Sequence, residues 1–236
     1  MARKPRIDLP GIPQHVVQRG VNRERTFFTG DDYRYYLHAL KKAAGKHDIR
    51  IHAYCLMTNH VHLLVTPDEQ GAVSALMQSL GRRYVRFVNT RYERTGTLWE
   101  GRFRSSLVDS GQYLLNCYRY IEMNPVRARM VEAAEGYRWS SYRHNALGEA
   151  DPVVTPHETY LGLADKGSER PKVYREYFPD NGEGSAWAEI RGAIARGLVY
   201  GSEEFKNRIE ASTGIRVRPG RPGRPRKRSM SGENGV

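Results

Sequence analysis

The sequence predicts an α+β fold in which helices pack on one face of a small antiparallel sheet. Short segments with the patterning of strands alternate with longer segments whose apolar residues recur at helical spacing. Two of the strand-like segments, residues 51–57 and 60–66, are separated only by Thr58 and Asn59, which predicts a hairpin. The resulting order of strand, helix, hairpin, helix, strand and helix is typical of this fold class.

The first two elements are a strand and a helix. Residues 11–20, GIPQHVVQRG, form a short run with strand-like composition. Residues 30–47, GDDYRYYLHALKKAAGKH, predict a helix with Asp31 or Asp32 as its N-cap and apolar residues at helical spacing.

The hairpin carries two histidines in an otherwise apolar second strand. Because side chains alternate along a strand, His60 and His62 project to the same face as Leu64. Two imidazoles placed one strand repeat apart suit a single divalent ion. The same spacing also arises by chance, so the pair alone does not distinguish metal ligands from core histidines.

The next elements are a helix over residues 71–92, an extended segment over 95–110 and a helix over 110–124. On the last helix, Tyr120 and Asn124 lie four residues apart on one face, at the border of a predicted buried stripe. Pro125 disfavours continuation of the helix past Asn124. By itself, Tyr120 could be an ordinary tyrosine at a packing interface.

The remainder of the chain differs in composition. We expect a main domain over residues 1–146, a loop-rich linker over 147–172, a small helical extension over 173–214, and a disordered basic tail over 215–236.

The charge balance favours a polyanionic partner. The 236 residues include 38 Lys and Arg against 26 Asp and Glu, a net charge of +12, which makes nucleic acid the expected partner. Two cysteines without a paired motif indicate a reducing compartment, and no apolar stretch is long enough for a signal peptide or membrane span. We therefore expect a cytoplasmic, nucleoid-associated protein without membrane contact.

Several linked motifs resemble the HUH single-tyrosine transposases (IS200-like), and within them the REP-associated tyrosine transposases. The resemblance covers about residues 6–145 and includes GIPQHVVQRG, HAYCLMTNHVHLLVTP, GRRYVRFVNTRYERTGTLWEGRFRSSLVDS, YLLNCYRYIEMNPVRARMVE and YRWSSYRHNALG, in the family's order. A weaker similarity to a longer subgroup extends through GRPRKR in the tail. The family's fold is HUH or ferredoxin-like, a small antiparallel sheet with helices.

The resemblance implies a role for four residues. His60 and His62 match the family's metal-binding pair, Tyr120 matches its nucleophile, and Asn124 matches the amide that completes the metal site. Many mobile relatives have Gln where this chain has Asn124. The implied cofactor is Mg²⁺ or Mn²⁺.

The implied activity is transposase-like cleavage and transfer of single-stranded DNA beside a hairpin, such as a repetitive extragenic palindrome. A free tyrosine has a pKa of about 10, so it needs a phosphate made electrophilic by a metal ion. Attack leaves a 5′-phosphotyrosine and a free 3′-hydroxyl, which can later reverse the step in recombination. Members of the family act as homodimers or monomers, and both remain open.

Basic and aromatic residues outside the four provide candidate DNA contacts. Interleaving of aromatic and basic residues suits base stacking and phosphate binding, although the aromatic residues could equally be core. A basic face of the helix over 71–92 could contact DNA or simply be solvated. The tail resembles an AT-hook but could also be a nonspecific basic tail. The candidates are Trp99, Arg102 and Arg104; Arg82, Arg83 and Arg86; and Arg221, Arg224, Arg226, Lys227 and Arg228.

Two other functions are compatible with parts of the sequence. One is a non-catalytic DNA-binding regulator or chromosome-organising protein on the same fold, which the presence of His60, His62, Tyr120 and Asn124 disfavours. The other is a hydrolytic metalloenzyme, which would need further metal ligands on a longer barrel.

Overall fold

The computed structural model describes residues 6–177 and 184–219. Its strands are β1 (Gln14–Arg19), β2 (Ile49–Leu56), β3 (His60–Pro67) and β4 (Arg104–Leu107). Its longer helices are α1 (Gly30–Lys46), α2 (Ala72–Arg91), α3 (Gln112–Glu122), α8 (Ser185–Arg196) and α9 (Glu203–Thr213). Shorter helices are α4 (Asn124–Arg127), α5 (Tyr142–Leu147), α6 (Glu158–Leu161) and α7 (Arg170–Glu176).

The four strands form one antiparallel sheet in the order β2-β3-β1-β4. The predicted hairpin is β2–β3, and β1 lies between β3 and β4. The predicted α+β class with a small antiparallel sheet is confirmed.

The helices cover both faces of this sheet, so the prediction that they pack on one face is wrong. Val61, Leu63 and Val65 of β3 face α1 and α2, whereas Leu64 faces α3 and α8. The burial pattern gives the physical reason: β3 is buried on both faces almost along its whole length. A strand that is apolar in both directions needs a layer of helices on each side.

Two details of the elements differ from the sequence predictions. The N-cap of α1 is Thr29 rather than Asp31 or Asp32, and the Asp32 carboxylate accepts hydrogen bonds from the backbone amides of Phe28 and Thr29. In β2, the pairing with β3 shifts at His52, which is the extra residue of a β-bulge.

Residues 147–172, predicted to be a loop-rich linker, contain α6 and the start of α7 and pack against α3 and α5. Tyr160 is buried there and its hydroxyl donates to the carbonyl of Asn145. Tyr160, which lies between Pro156 and Pro171, provides the buried contact that the loop-like composition concealed. The division of the chain into domains stays a prediction, and most of the basic tail lies outside the described residues.

A buried carboxylate ties α3 to the later helices. Glu122 is inaccessible to solvent and accepts hydrogen bonds from Ser141 Oγ (2.6 Å), Asn145 Nδ2 (2.7 Å) and the Tyr174 hydroxyl (2.7 Å). Burial raises the pKa of Glu122, and the three hydrogen bonds oppose this shift.

We expect Glu122→Ala to lower the free energy of unfolding by about 3 kcal/mol, because three buried donors lose their acceptor. The raised pKa of Glu122 also predicts a pH dependence. The folded state keeps the proton to a higher pH than the unfolded state, so stability falls as the pH rises from about 4.5 through the folded pKa. Urea unfolding at several pH values measures both effects. Glu122→Gln cannot titrate and should lose this dependence, and an unchanged profile would contradict the assignment.

None of the helices in the described part of the chain is sufficiently long and apolar to span a membrane.

Candidate active site

The four residues singled out by resemblance come from three elements and all line one cavity. His60 and His62 belong to β3, Tyr120 to α3, and Asn124 is the first residue of α4. This cavity has a volume of about 660 Å³ and lies where β1, β3 and β4 meet α3, α4 and α8. Its lining is rich in imidazole and guanidinium groups and consists of Val17, Arg19, His60, His62, Glu100, Gly101, Arg102, Arg104, Tyr120, Asn124, Arg127, Arg191, Ile194 and Ala195.

The two histidines of β3 project into the cavity from the same face of the sheet, as the alternation predicts. Their ring centroids are 5.0 Å apart. His60 Nδ1 lies 2.6 Å from Asn59 Oδ1, so Nδ1 carries the proton and donates, which leaves a lone pair on Nε2.

The orientation of His62 depends on a residue that the sequence analysis missed. His62 Nδ1 lies 2.9 Å from Nε2 of His15, a buried residue of β1. This contact uses Nδ1 of His62, so Nε2 is the nitrogen that can bind a ligand. The His15 ring also packs edge-on against Tyr120, with centroids 5.7 Å apart. Alternation in GIPQHVVQRG could have revealed His15, since it projects to the opposite face from the core residue Val16.

Burial keeps these imidazoles neutral. It lowers the pKa of His60 to about 4, with a smaller contribution from Arg19, and the pKa of His15 to about 3. Burial likewise lowers the pKa of His62 well below its usual range, and neighbouring His15 and His60 add to the effect. At neutral pH the lone pairs of His60 and His62 are therefore available for a ligand.

Tyr120 reaches the cavity from the last turn of α3, and Asn124 reaches it from the first residue of α4. Tyr120 is 4% exposed, and its hydroxyl makes no hydrogen bond with the described residues. The Asn124 side chain donates from Nδ2 to the carbonyls of Tyr120 (2.9 Å) and Ile121 (3.2 Å). These bonds fix the amide and leave Oδ1 as its acceptor atom.

The donor set fits a divalent metal ion. In each of these side chains one polar atom is held by a hydrogen bond, whereas His60 Nε2, His62 Nε2 and Asn124 Oδ1 make none with the described residues. Within residues 6–177 and 184–219, His, Cys, Asp and Glu side chains form no metal-binding group of three or more. The resemblance implies that the third protein ligand would be the neutral amide of Asn124.

The predicted DNA contacts divide into three groups. Arg102 and Arg104 line the cavity, and Arg104 also donates to the carbonyl of Ala195. Trp99 is 5% exposed and packs in the core beside Tyr36 and Tyr84, so the prediction that it stacks on bases is wrong and the core alternative is correct.

The other candidates lie away from the cavity. Arg82, Arg83 and Arg86 are exposed on α2, which covers the opposite face of the sheet. Their contact with DNA stays a prediction. The tail candidates, Arg221, Arg224, Arg226, Lys227 and Arg228, lie outside the described residues.

Comparisons with known proteins agree with the resemblance. Residues 10–124 match the family model "Transposase IS200 like". A Haemophilus influenzae protein, described as a candidate REP-associated tyrosine transposase, is 23% identical over 141 residues, covering 56% of this chain and 80% of the relative. A solved REP-associated tyrosine transposase bound to a REP hairpin has a TM-score of 0.56 and 18% identity. That match covers 66% of this chain and 93% of the solved one, and at this identity it establishes the fold alone.

Proposed function

We propose a function on the premise that the chain belongs, through residues 10–124, to the IS200-like transposase family, as its motifs predict. The protein is a metal-dependent endonuclease and strand transferase for single-stranded DNA, with Tyr120 as its nucleophile. Its substrate is DNA flanked by a hairpin, of the repetitive extragenic palindrome class named for the relatives.

One observation carries the proposal. Tyr120 on α3 and Asn124 at the start of α4 line the same cavity as His60 and His62 on β3, although these helices are far from β3 in the sequence. Core histidines and an interfacial tyrosine would have no reason to share an open, arginine-lined cavity.

The chemistry follows from the residues around Tyr120. Its oxygen attacks the phosphorus of a backbone phosphodiester, the bond to the 3′-oxygen breaks, and a 5′-phosphotyrosine forms. The phenol proton leaves to water in the cavity, and the 3′-oxygen takes up a proton. Attack by that 3′-hydroxyl on the phosphotyrosine reverses the step, so no external energy source is needed.

The neighbouring side chains orient the reacting groups. The ring of Tyr120 is held by His15 and His62, with centroids 5.7 and 6.0 Å away. His60, His62 and Asn124 would hold Mg²⁺ or Mn²⁺, which when bound supplies a Lewis acid for the scissile phosphate. The arginines of the lining favour a polyanionic strand at this site.

The test is a covalent-adduct assay. Wild-type protein is incubated with end-labelled single-stranded hairpin DNAs in Mg²⁺ or in EDTA, and denaturing gels detect protein-linked label. We expect a protease-sensitive adduct in Mg²⁺ and none in EDTA. Tight binding without an adduct across several hairpins would instead support the non-catalytic DNA-binding regulator.

A further inference from the structure

Helix α8 forms one wall of the active-site cavity, although it lies outside the segment that matches the family model. Arg191, Ile194 and Ala195 of α8 line the cavity. Trp187 of the same helix is buried and packs edge-on against Tyr120, with ring centroids 6.2 Å apart. The helical extension over residues 173–214 therefore contributes α8 to the active site.

Arg127 lies between this helix and the nucleophile. Its guanidinium carbon is 4.6 Å from the ring centroid of Tyr120 and 4.8 Å from that of Trp187. The two rings hold the guanidinium beside Tyr120, and this arrangement suits a planar cation better than an ammonium group.

The guanidinium of Arg127 is incompletely satisfied. Its Nη1 is buried and has no hydrogen-bond partner among the described residues. A buried donor on a charged group is costly unless an acceptor occupies the adjoining space. Arg127 also lines the cavity, so a ligand bound there can reach this side chain.

The charge of the cavity defines the chemistry of its occupant. Arg191 lies in the same lining, is exposed, and has no carboxylate partner among the described residues. Arg19, Arg102 and Arg104 add further positive charge, against one carboxylate from Glu100. An anion with several acceptor oxygens satisfies such a set, and guanidinium groups bind phosphates with matched geometry.

We propose that Arg127 and Arg191 form a subsite for a backbone phosphate of the DNA strand, next to the phosphate attacked by Tyr120, and that α8 is one wall of the strand's path. This proposal rests on the proposed function, because it names how the substrate strand of that site is held. The role assigned to α8 is to present Arg191 and, through Trp187, to fix Arg127.

The test measures binding without cleavage. Full-length protein is titrated with fluorescent oligothymidylate of about 20 nucleotides in EDTA, over a range of salt concentrations. Each lost phosphate contact should reduce the slope of log affinity against log salt by about 0.7. Arg127→Gln and Arg191→Gln should each show this reduction and a roughly tenfold weaker affinity, and the double variant about twice the change in slope.

Two variants make the result specific. Arg208→Gln removes the same charge from an exposed position on α9 away from the cavity and should retain the wild-type slope. Arg127→Lys keeps the charge and should retain most of the slope, which a purely structural role of Arg127 would not predict. The basic tail is present in every variant, so its contribution cancels.

The outcomes separate this proposal from the proposed function. The subsite is refuted if Arg127→Gln and Arg191→Gln have the same salt dependence of affinity as Arg208→Gln. This conclusion holds whether or not wild type forms a covalent adduct. If Arg127→Gln unfolds by circular dichroism, the exposed Arg191→Gln and the conservative Arg127→Lys decide the result. If both Gln variants reduce the salt dependence of DNA affinity but wild type forms no adduct, the phosphate subsite is supported and the strand-transferase function is refuted.

Discussion

Replacing Tyr120 by phenylalanine is expected to abolish the covalent adduct with hairpin DNA, with a fall of at least about a thousandfold. The change removes the attacking oxygen and nothing else from the ring. Contacts of the ring with His15, His62, Arg127 and Trp187 remain. Because the hydroxyl makes no hydrogen bond with the described residues, the folded protein should keep its stability and its affinity for DNA.

The matched control is the tyrosine two residues earlier on α3. Tyr118 is fully buried, and its hydroxyl accepts a hydrogen bond from the backbone amide of His157 at 3.4 Å. Tyr118→Phe should cost about 1 kcal/mol of stability and leave the adduct intact. An adduct that survives in Tyr120→Phe, measured on denaturing gels with end-labelled DNA, would refute the assignment of the nucleophile.

Much of the site could be predicted because it depends on local rules. Alternation along a strand places His60 and His62 on one face, and the i, i+4 spacing places Tyr120 and Asn124 side by side where α3 meets α4. Neither rule says that the two pairs meet. That information came from the resemblance, and the structure places all four around one cavity.

The missed parts depend on pairing between distant segments. His15 supports His62 because β1 lies beside β3, a neighbour relation that no local pattern contains. The wall formed by α8 has the same origin, since Trp187 and Arg191 approach Tyr120 only through the folded chain.

The wrong predictions came from patterns with two physical meanings. The apolar run of β3 fits a strand buried on both faces as well as one with a single helical layer. The aromatic and basic residues around Trp99 fit a DNA surface or a strand edge with a buried ring, and burial within the core decides for the second. Composition alone cannot separate such pairs of alternatives.

His60→Ala and His62→Ala are each expected to lower the affinity for Mn²⁺ by at least about a hundredfold and to remove the metal-dependent adduct. Each change deletes one of the two imidazoles with a free Nε2 in the cavity, and a single imidazole with the Asn124 amide binds a divalent ion weakly. Calorimetric titration with Mn²⁺ in the absence of DNA measures the affinity independently of cleavage. His38→Ala, an exposed residue of α1, provides the control.

His15 should affect the affinity for Mn²⁺ through its contact with His62. His15→Leu removes the acceptor that holds His62 Nδ1, so the Mn²⁺ affinity should fall by about 10- to 100-fold while both ligands remain. His15→Gln offers an amide oxygen in its place and should recover part of the loss, which a packing effect alone would not produce. If instead Mn²⁺ affinity is unchanged in His60→Ala, His62→Ala and His15→Leu, the histidines are packing residues. The cavity would then bind DNA without cleaving it, as expected of a non-catalytic DNA-binding regulator.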